Sequence, residues 1–184
     1  MNPGVLAASV GLLRRHWATA YLVSLAATLV NTVPDVLRQV LVWDDPRFAA
    51  ALLVDVVGFG TALVAQLWMT GALVDLPDGG GARPAGALRR GVRLGRRAVR
   101  RAPGTVAAGV VCGGAVSALL TIPASVAALG PHRVLGPLDS PGAGAFTVAT
   151  VSDLVASAVT LPFLALVLVL VATGPRLAPA PAGQ

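Results

Sequence analysis

From Ala102 to Pro131 the chain carries no Asp, Glu, Lys or Arg. A helix of roughly 20 residues already crosses about 30 Å of hydrocarbon, so this run is long enough to span a membrane. Three further stretches have similar character. One opens at Trp17, stays uncharged to Pro34, and continues through Asp35, Arg38 and Gln39 to about Val42. The next begins near Phe48, is interrupted by Asp55, and is uncharged from Val56 to Val74. The last follows Asp153 and is uncharged to Pro175. The expected spans are therefore residues 17–42, 48–75, 103–130 and 147–174, with Pro123 and Pro162 inside the last two. Proline is tolerated there because neighbouring groups in a membrane bundle can satisfy the carbonyls it frees.

A soluble helical core is the competing reading. It requires amphipathic stripes, whereas these runs are apolar on all faces. Composition points the same way: 12% of residues are charged and mean hydropathy is +0.78, against about 25% charged in an ordinary soluble domain. A chain of 184 residues still exposes much of its surface when folded, and lipid is the solvent that accepts an apolar one. The sequence thus predicts an all-α protein: an integral membrane bundle of four transmembrane helices. A cytoplasmic amphipathic interfacial helix separates spans two and three. Residues 1–175 form a single membrane domain, followed by a disordered tail over 176–184. A cleavable signal peptide is disfavoured, because the first apolar run is long for one and no small-residue cleavage site follows it.

All fourteen basic residues are Arg and all eight acidic ones are Asp, a bias expected of GC-rich coding. Their distribution sets orientation, because short cytoplasmic loops accumulate positive charge. Arg83, Arg89, Arg90, Arg93, Arg96, Arg97, Arg100 and Arg101 lie between spans two and three, Arg14 and Arg15 precede span one, and Arg176 follows span four. The other two loops hold only Arg47 beside Asp44 and Asp45, and Arg133 with Asp139. Both termini and the arginine segment are expected in the cytoplasm of a bacterial cell, with the chain in the inner membrane. The net charge of +6 is explained by this topology, so nucleic acid is not an expected partner. Cys112 stands alone in an apolar run and reads as a buried hydrophobe.

The arginine segment has two parts. Leu76 to Pro84 (LPDGGGARP) is a turn, since Pro77, three glycines and Pro84 do not sustain a helix. From about residue 85 to 101 a helical projection puts Leu88, Val92, Gly95 and Val99 on one narrow face. Arg89, Arg90, Arg93, Arg96, Arg97, Arg100 and Arg101 occupy an arc of about 140° opposite or beside it. Such a helix suits the interface, with its apolar stripe in the acyl boundary and its arginines at the headgroups. Those seven arginines are the expected contacts for anionic lipid or for a partner protein. Gly86, Gly91 and Gly95 weaken the helix in water, so ordering at the membrane is expected.

Enzymatic constellations fail. The chain lacks a GxxxxGK[ST] loop, an HExxH helix and a GxSxG elbow. His16 and His132 fall on opposite sides of the expected membrane, so no metal site, cofactor or catalytic residue is assigned. The acidic residues are more informative. Asp55 lies on the order of 10 Å inside span two at 1.5 Å per residue, and an ionisable group at that depth by default marks a function or a partner. Asp35, Arg38, Asp55 and Asp153 all project to the outer half, forming a possible intramembrane polar cluster. Asp35 and Arg38 are spaced to pair directly, and Arg38 is also the expected partner of Asp55. An ion pair holding the bundle together, or a cation pathway through a small transporter or channel subunit, would each use it. Gly109 and Gly113 make a GxxxG spacing, read as packing within the bundle in preference to a homo-oligomer contact.

The lead-in GLLRRHW and the segment from Gly71 to Gly109 (GALVDLPDGGGARPAGALRRGVRLGRRAVRRAPGTVAAG) together resemble a bacterial membrane domain. It is the domain found beside glycerophosphodiester phosphodiesterases, and in related membrane proteins of unknown function. The resemblance covers about forty residues and implies a non-enzymatic membrane module. It carries over no catalytic residue, since the phosphodiesterase domain has no counterpart in this sequence. The expected role is a non-catalytic structural or accessory component of the envelope, contacting membrane lipids or a membrane-protein partner.

Overall fold

A backbone in hydrocarbon must satisfy its own polar groups, and every regular element among the described residues is helical. The computed structural model describes residues 2–41, 48–129 and 143–174. Within them six α-helices follow in order: α1 (Pro3–Arg15), α2 (Trp17–Leu41), α3 (Phe48–Ala72), α4 (Ala87–Arg101), α5 (Pro103–Leu129) and α6 (Ala143–Thr173). A single 3-10 turn (Leu76–Asp78) follows α3, and no strand occurs among the described residues. Three stretches are long and apolar enough to cross a membrane: Val56–Asp78, Pro103–Ala124 and Thr150–Thr173. The chain is a multi-pass membrane protein. Where a full span was expected over 17–42, the described residues of α2 offer a shorter apolar stretch, Trp17–Val33. The expected tail over 176–184 lies outside the described residues.

The lead-in forms a helix of its own. Asn2 caps α1 by accepting from the Gly4 N–H at 3.1 Å, and Pro3 follows where a missing N–H costs nothing. At His16 the backbone leaves helical geometry (φ −116°), so α1 turns into α2 at an angle. The Asn2 N–H donates to Thr105 Oγ1 at 3.1 Å, tying the chain start to the first turn of α5.

The last helix is the axis of the bundle. Its segment Phe163–Ala172 is an unbroken Leu/Val/Ala/Phe run after Pro162, and α6 packs on all five other helices. Leu166, Val167 and Val169 are completely buried. One core cluster joins Val167–Val169, Val171 and Ala172 to Val5 of α1 and to Leu94 and Ala98 of α4. A second joins Ala165 and Leu166 to Ala20 of α2 and to Met69, Leu73 and Leu76. In contrast α5 is peripheral: 11% of its apolar window is buried, against 44% for α6. Cys112 on α5 is exposed, which corrects the expectation of a buried cysteine; α5 turns this face outward, where lipid accepts a small apolar thiol.

Pro162 shows how the membrane interior is kept satisfied. A proline cannot donate to the carbonyl four residues back, here Ala158. The hydroxyl of Ser24, fully buried on α2, donates to that carbonyl at 2.8 Å. One buried serine replaces the missing backbone bond and also joins α2 to α6.

Candidate functional site

A helix leaves its last four carbonyls without intrahelical donors, and at the end of α3 these carbonyls organise the arginine segment. The Leu73 N–H reaches Met69 O at 3.0 Å and the Arg83 N–H reaches Ala72 O at 2.9 Å. Gly71 O accepts from Arg90 Nε at 3.1 Å. The connecting turn closes through Gly79 at φ 77° and Gly86 at φ 66°, conformations that glycine adopts without a Cβ penalty. Across that turn Asp75 pairs with Arg83 at 3.1 Å.

Arg90 is the hub of this end. Besides Gly71, its guanidinium donates from Nη1 to Ala85 O at 2.7 Å and from Nη2 to Arg83 O. One planar fork therefore holds the end of α3, the turn and the start of α4 together. Arg101 does the same for α6, donating from Nη1 to Ala172 O. Both guanidinium groups sit where helix dipoles end in partial negative charge.

The helix α4 presents three faces, one more than its sequence pattern suggested. Ala87, Gly91, Leu94, Gly95 and Ala98 are buried and dock on the bundle. The approach is as close as backbones allow. A Cβ on Gly91 would lie 1.7 Å from Leu67 O, and one on Gly71 would lie 1.9 Å from Ala87 O. The glycines that weaken α4 as an isolated helix are what let it lie against α3. The second face is the expected apolar stripe: Leu88, Val92 and Val99 are all exposed, and only Gly95 of that set turns inward. The third is the arginine arc. All seven but the half-buried Arg90 are exposed, and Arg90 and Arg101, at its inner edge, are committed to carbonyls.

Sequence reasoning found the arc and missed this division of labour. Two signals were present. Ala87, Gly91 and Gly95 repeat at four-residue spacing, a pattern that lets helices approach closely. A glycine-rich turn after a span also leaves carbonyls that a nearby guanidinium can reach.

The acidic set is less informative. Asp35 and Arg38 stand on α2 and Asp55 on α3, but their side chains lie outside the described residues. Asp153 is exposed on α6. The expected cluster of the four therefore lies outside the described residues. Buried polarity does occur in the bundle interior: Thr28 Oγ1 and Asn31 Oδ1 on α2 and Gln66 Oε1 on α3 have no hydrogen-bond partner among the described residues. Asn31 also lines an apolar groove of about 570 Å³ between α2 and α3, bounded at the arginine end by Trp68 and Leu88. Gly109 packs on Val167 of α6, while Gly113 has open space around it. No group of residues suited to hold a metal ion occurs among the described residues.

Comparison of the chain with protein-family models, with curated proteins and with solved structures finds no match in any of the three.

Proposed function

We propose that this is a non-catalytic component of a bacterial cell envelope, crossing the inner membrane four times with both termini in the cytoplasm. Its arginine helix would lie in the cytoplasmic interface and engage anionic lipid or an acidic membrane-protein partner. The observation that carries this reading is the three-faced geometry of α4. The small-residue face is docked on the bundle, so the helix is fixed in place. Leu88, Val92 and Val99 then project outward beside exposed Arg89, Arg93, Arg96 and Arg100. An apolar stripe next to a basic face is the composition of a helix lying in the interface. Basic residues close to an anionic leaflet contribute about 1 kcal/mol each.

The fourth crossing falls to α2, whose 25 residues extend about 37 Å at 1.5 Å per residue. With the arginine helix in the cytoplasm, Asp35 and Asp55 stand in the outer half. A small transporter or channel subunit using Asp55 remains the second reading, and Asp55→Asn tests it by abolishing flux in proteoliposomes without loss of folding.

The test of the main reading replaces all seven helix arginines, Arg89, Arg90, Arg93, Arg96, Arg97, Arg100 and Arg101, by Gln. Preferential association with phosphatidylglycerol over phosphatidylcholine should disappear, along with capture of any native partner. Because Arg90 and Arg101 also cap carbonyls, a five-site variant sparing those two separates surface contact from folding. If the five-site protein keeps its full lipid preference and partner set, the role proposed for the arginine face is wrong.

A further inference from the structure

The arginine arc is not uniform. At its inner side, Arg90, Arg93 and Arg97 frame a hollow of about 220 Å³ whose remaining walls are Val74 and Leu94. We propose that this hollow binds one phosphoryl group per chain, supplied by a lipid headgroup or by a small soluble phosphate. The assignment deepens the reading of α4 as the functional face and rests on it.

Charge is the first reason. Residues 90, 93 and 97 fall within about 60° of one another on a helix turning 100° per residue, and all three side chains line the same small volume. Arg90 is immobilised by its three carbonyl contacts, spending three of the five N–H donors a guanidinium carries. Its charge is thereby fixed in the wall. Arg93 and Arg97 make no ion pair or hydrogen bond with another described residue, whereas Arg83 and Arg101 each find a protein acceptor. Convergent like charges repel, and the occupant that relieves this is an anion.

Shape and depth narrow the anion. One side is apolar, with Leu94 buried in the core, and a charge held against apolar protein is screened less than one in open water. The hollow is smaller than the roughly 300–1,000 Å³ of sites for drug-sized ligands, so it accommodates a headgroup-sized fragment. Val74 lies near the end of the apolar stretch Val56–Asp78, the depth at which headgroup phosphates sit. Two guanidinium forks with their donors unspent match the oxygens of a phosphate, which arginine binds bidentately.

The experiment compares two double variants with equal charge loss. Arg93→Gln/Arg97→Gln empties the hollow, and Arg89→Gln/Arg96→Gln removes arginines from the far edge of the arc. Neither pair hydrogen-bonds within the described structure, so both should fold, which thermal unfolding in detergent verifies. Delipidated protein is reloaded with phosphatidylglycerol, and retained lipid is counted by native mass spectrometry; in parallel, inorganic phosphate is titrated by calorimetry. The natural protein should retain one lipid per chain, and the hollow pair should lose about tenfold more affinity than the edge pair, as expected when charge-assisted hydrogen bonds rather than field alone are removed. Equal losses in the two pairs would overturn the site and leave the general lipid-contact role standing. No loss in either pair, together with an unchanged seven-arginine variant, would overturn both. Stoichiometric binding of inorganic phosphate that only the hollow pair abolishes, without lipid retention, would keep the site, assign it to a soluble phosphate and remove the lipid role.

Discussion

The two ends of this bundle are built on different principles. At the arginine end α1, α4, the turn after α3 and the last turns of α6 interlock: both core clusters lie there, and Arg90 and Arg101 close helix ends with charge-assisted hydrogen bonds. At the other end α2 and α3 expose Val33, Leu37, Leu52, Leu53, Val56 and Phe59, and α5 leans on α6 alone apart from its first turns. Exposed apolar side chains cost little in lipid, so helices there need not pack tightly. At a membrane surface, orphan carbonyls face partial hydration, and each one closed by a guanidinium stiffens the structure. Tight packing marks where polarity must be managed.

This contrast breaks most visibly at the glycine crossing. Gly91→Ala drives a Cβ onto the Leu67 carbonyl, and backbone cannot yield as a side chain would. We expect a loss of about 3 kcal/mol or more, read as a lower midpoint of unfolding in detergent, with α4 released to protease. Gly60→Ala, at the middle of α3 and away from the arginine end, meets nothing within 4 Å. It should be neutral or stabilising by up to about 1 kcal/mol through helix propensity. Equal penalties at both positions would mean that the ends do not differ as described.

The arginines give the next largest effect. Arg90→Gln leaves the Gly71, Ala85 and Arg83 carbonyls without their shared donor, costing about 2–3 kcal/mol. Arg90→Lys should recover little of this, because an ammonium cannot reproduce the planar fork. Arg89→Gln, one residue away and exposed, should stay within about 0.5 kcal/mol. A large Arg89 effect on folding would dissolve the distinction between capping and surface arginines.

Much of this was legible in the sequence. Uncharged runs announced the membrane, and the helical period of residues 88–101 separated an apolar stripe from an arginine arc. What stayed hidden has a physical reason. The face that docks α4 is written in Ala87, Gly91 and Gly95, residues that a hydrophobicity pattern scores as nothing, although absence of a side chain is what permits contact. The carbonyl caps were hidden because backbone acceptors leave no letter in the sequence: Arg90 and Arg97 look alike until the end of α3 is placed beside one of them. The short independent helix α1 was likewise unreadable, since only a kink at His16 separates it from α2.

Between the two ends, Ser24 offers a more modest test of how interior polarity is handled. Ser24→Ala orphans the Ala158 carbonyl that Pro162 leaves free. Interhelical hydrogen bonds in membranes average about 0.6 kcal/mol and reach about 1.7. The upper part of that range is expected, as this acceptor has no helical donor. Pro162→Ala restores a backbone N–H at position 162, so the Ser24 penalty should shrink in that background. A double-mutant cycle reads the coupling directly, and strict additivity would show that Ser24 does not stand in for the proline's missing bond.

The smallest effect belongs to the Asp75–Arg83 pair, and its smallness is the point. The Arg83 side chain is 65% exposed and that of Asp75 33%, so the pair is screened by solvent; exposed ion pairs contribute about 0–1 kcal/mol. Asp75→Asn keeps the side-chain shape. The backbone bonds from Gly80 to Asp75 O and from Arg83 to Ala72 O do not depend on the carboxylate. A loss of about 0.5 kcal/mol or less is expected at low ionic strength, vanishing in about 1 M salt, where the Debye length falls to about 3 Å. The Arg90 penalty should survive the same salt, because its acceptors are carbonyls held at short range. If Asp75→Asn instead cost as much as Arg90→Gln, and did so in high salt, the turn rather than the guanidinium fork would be what fastens α4 to α3.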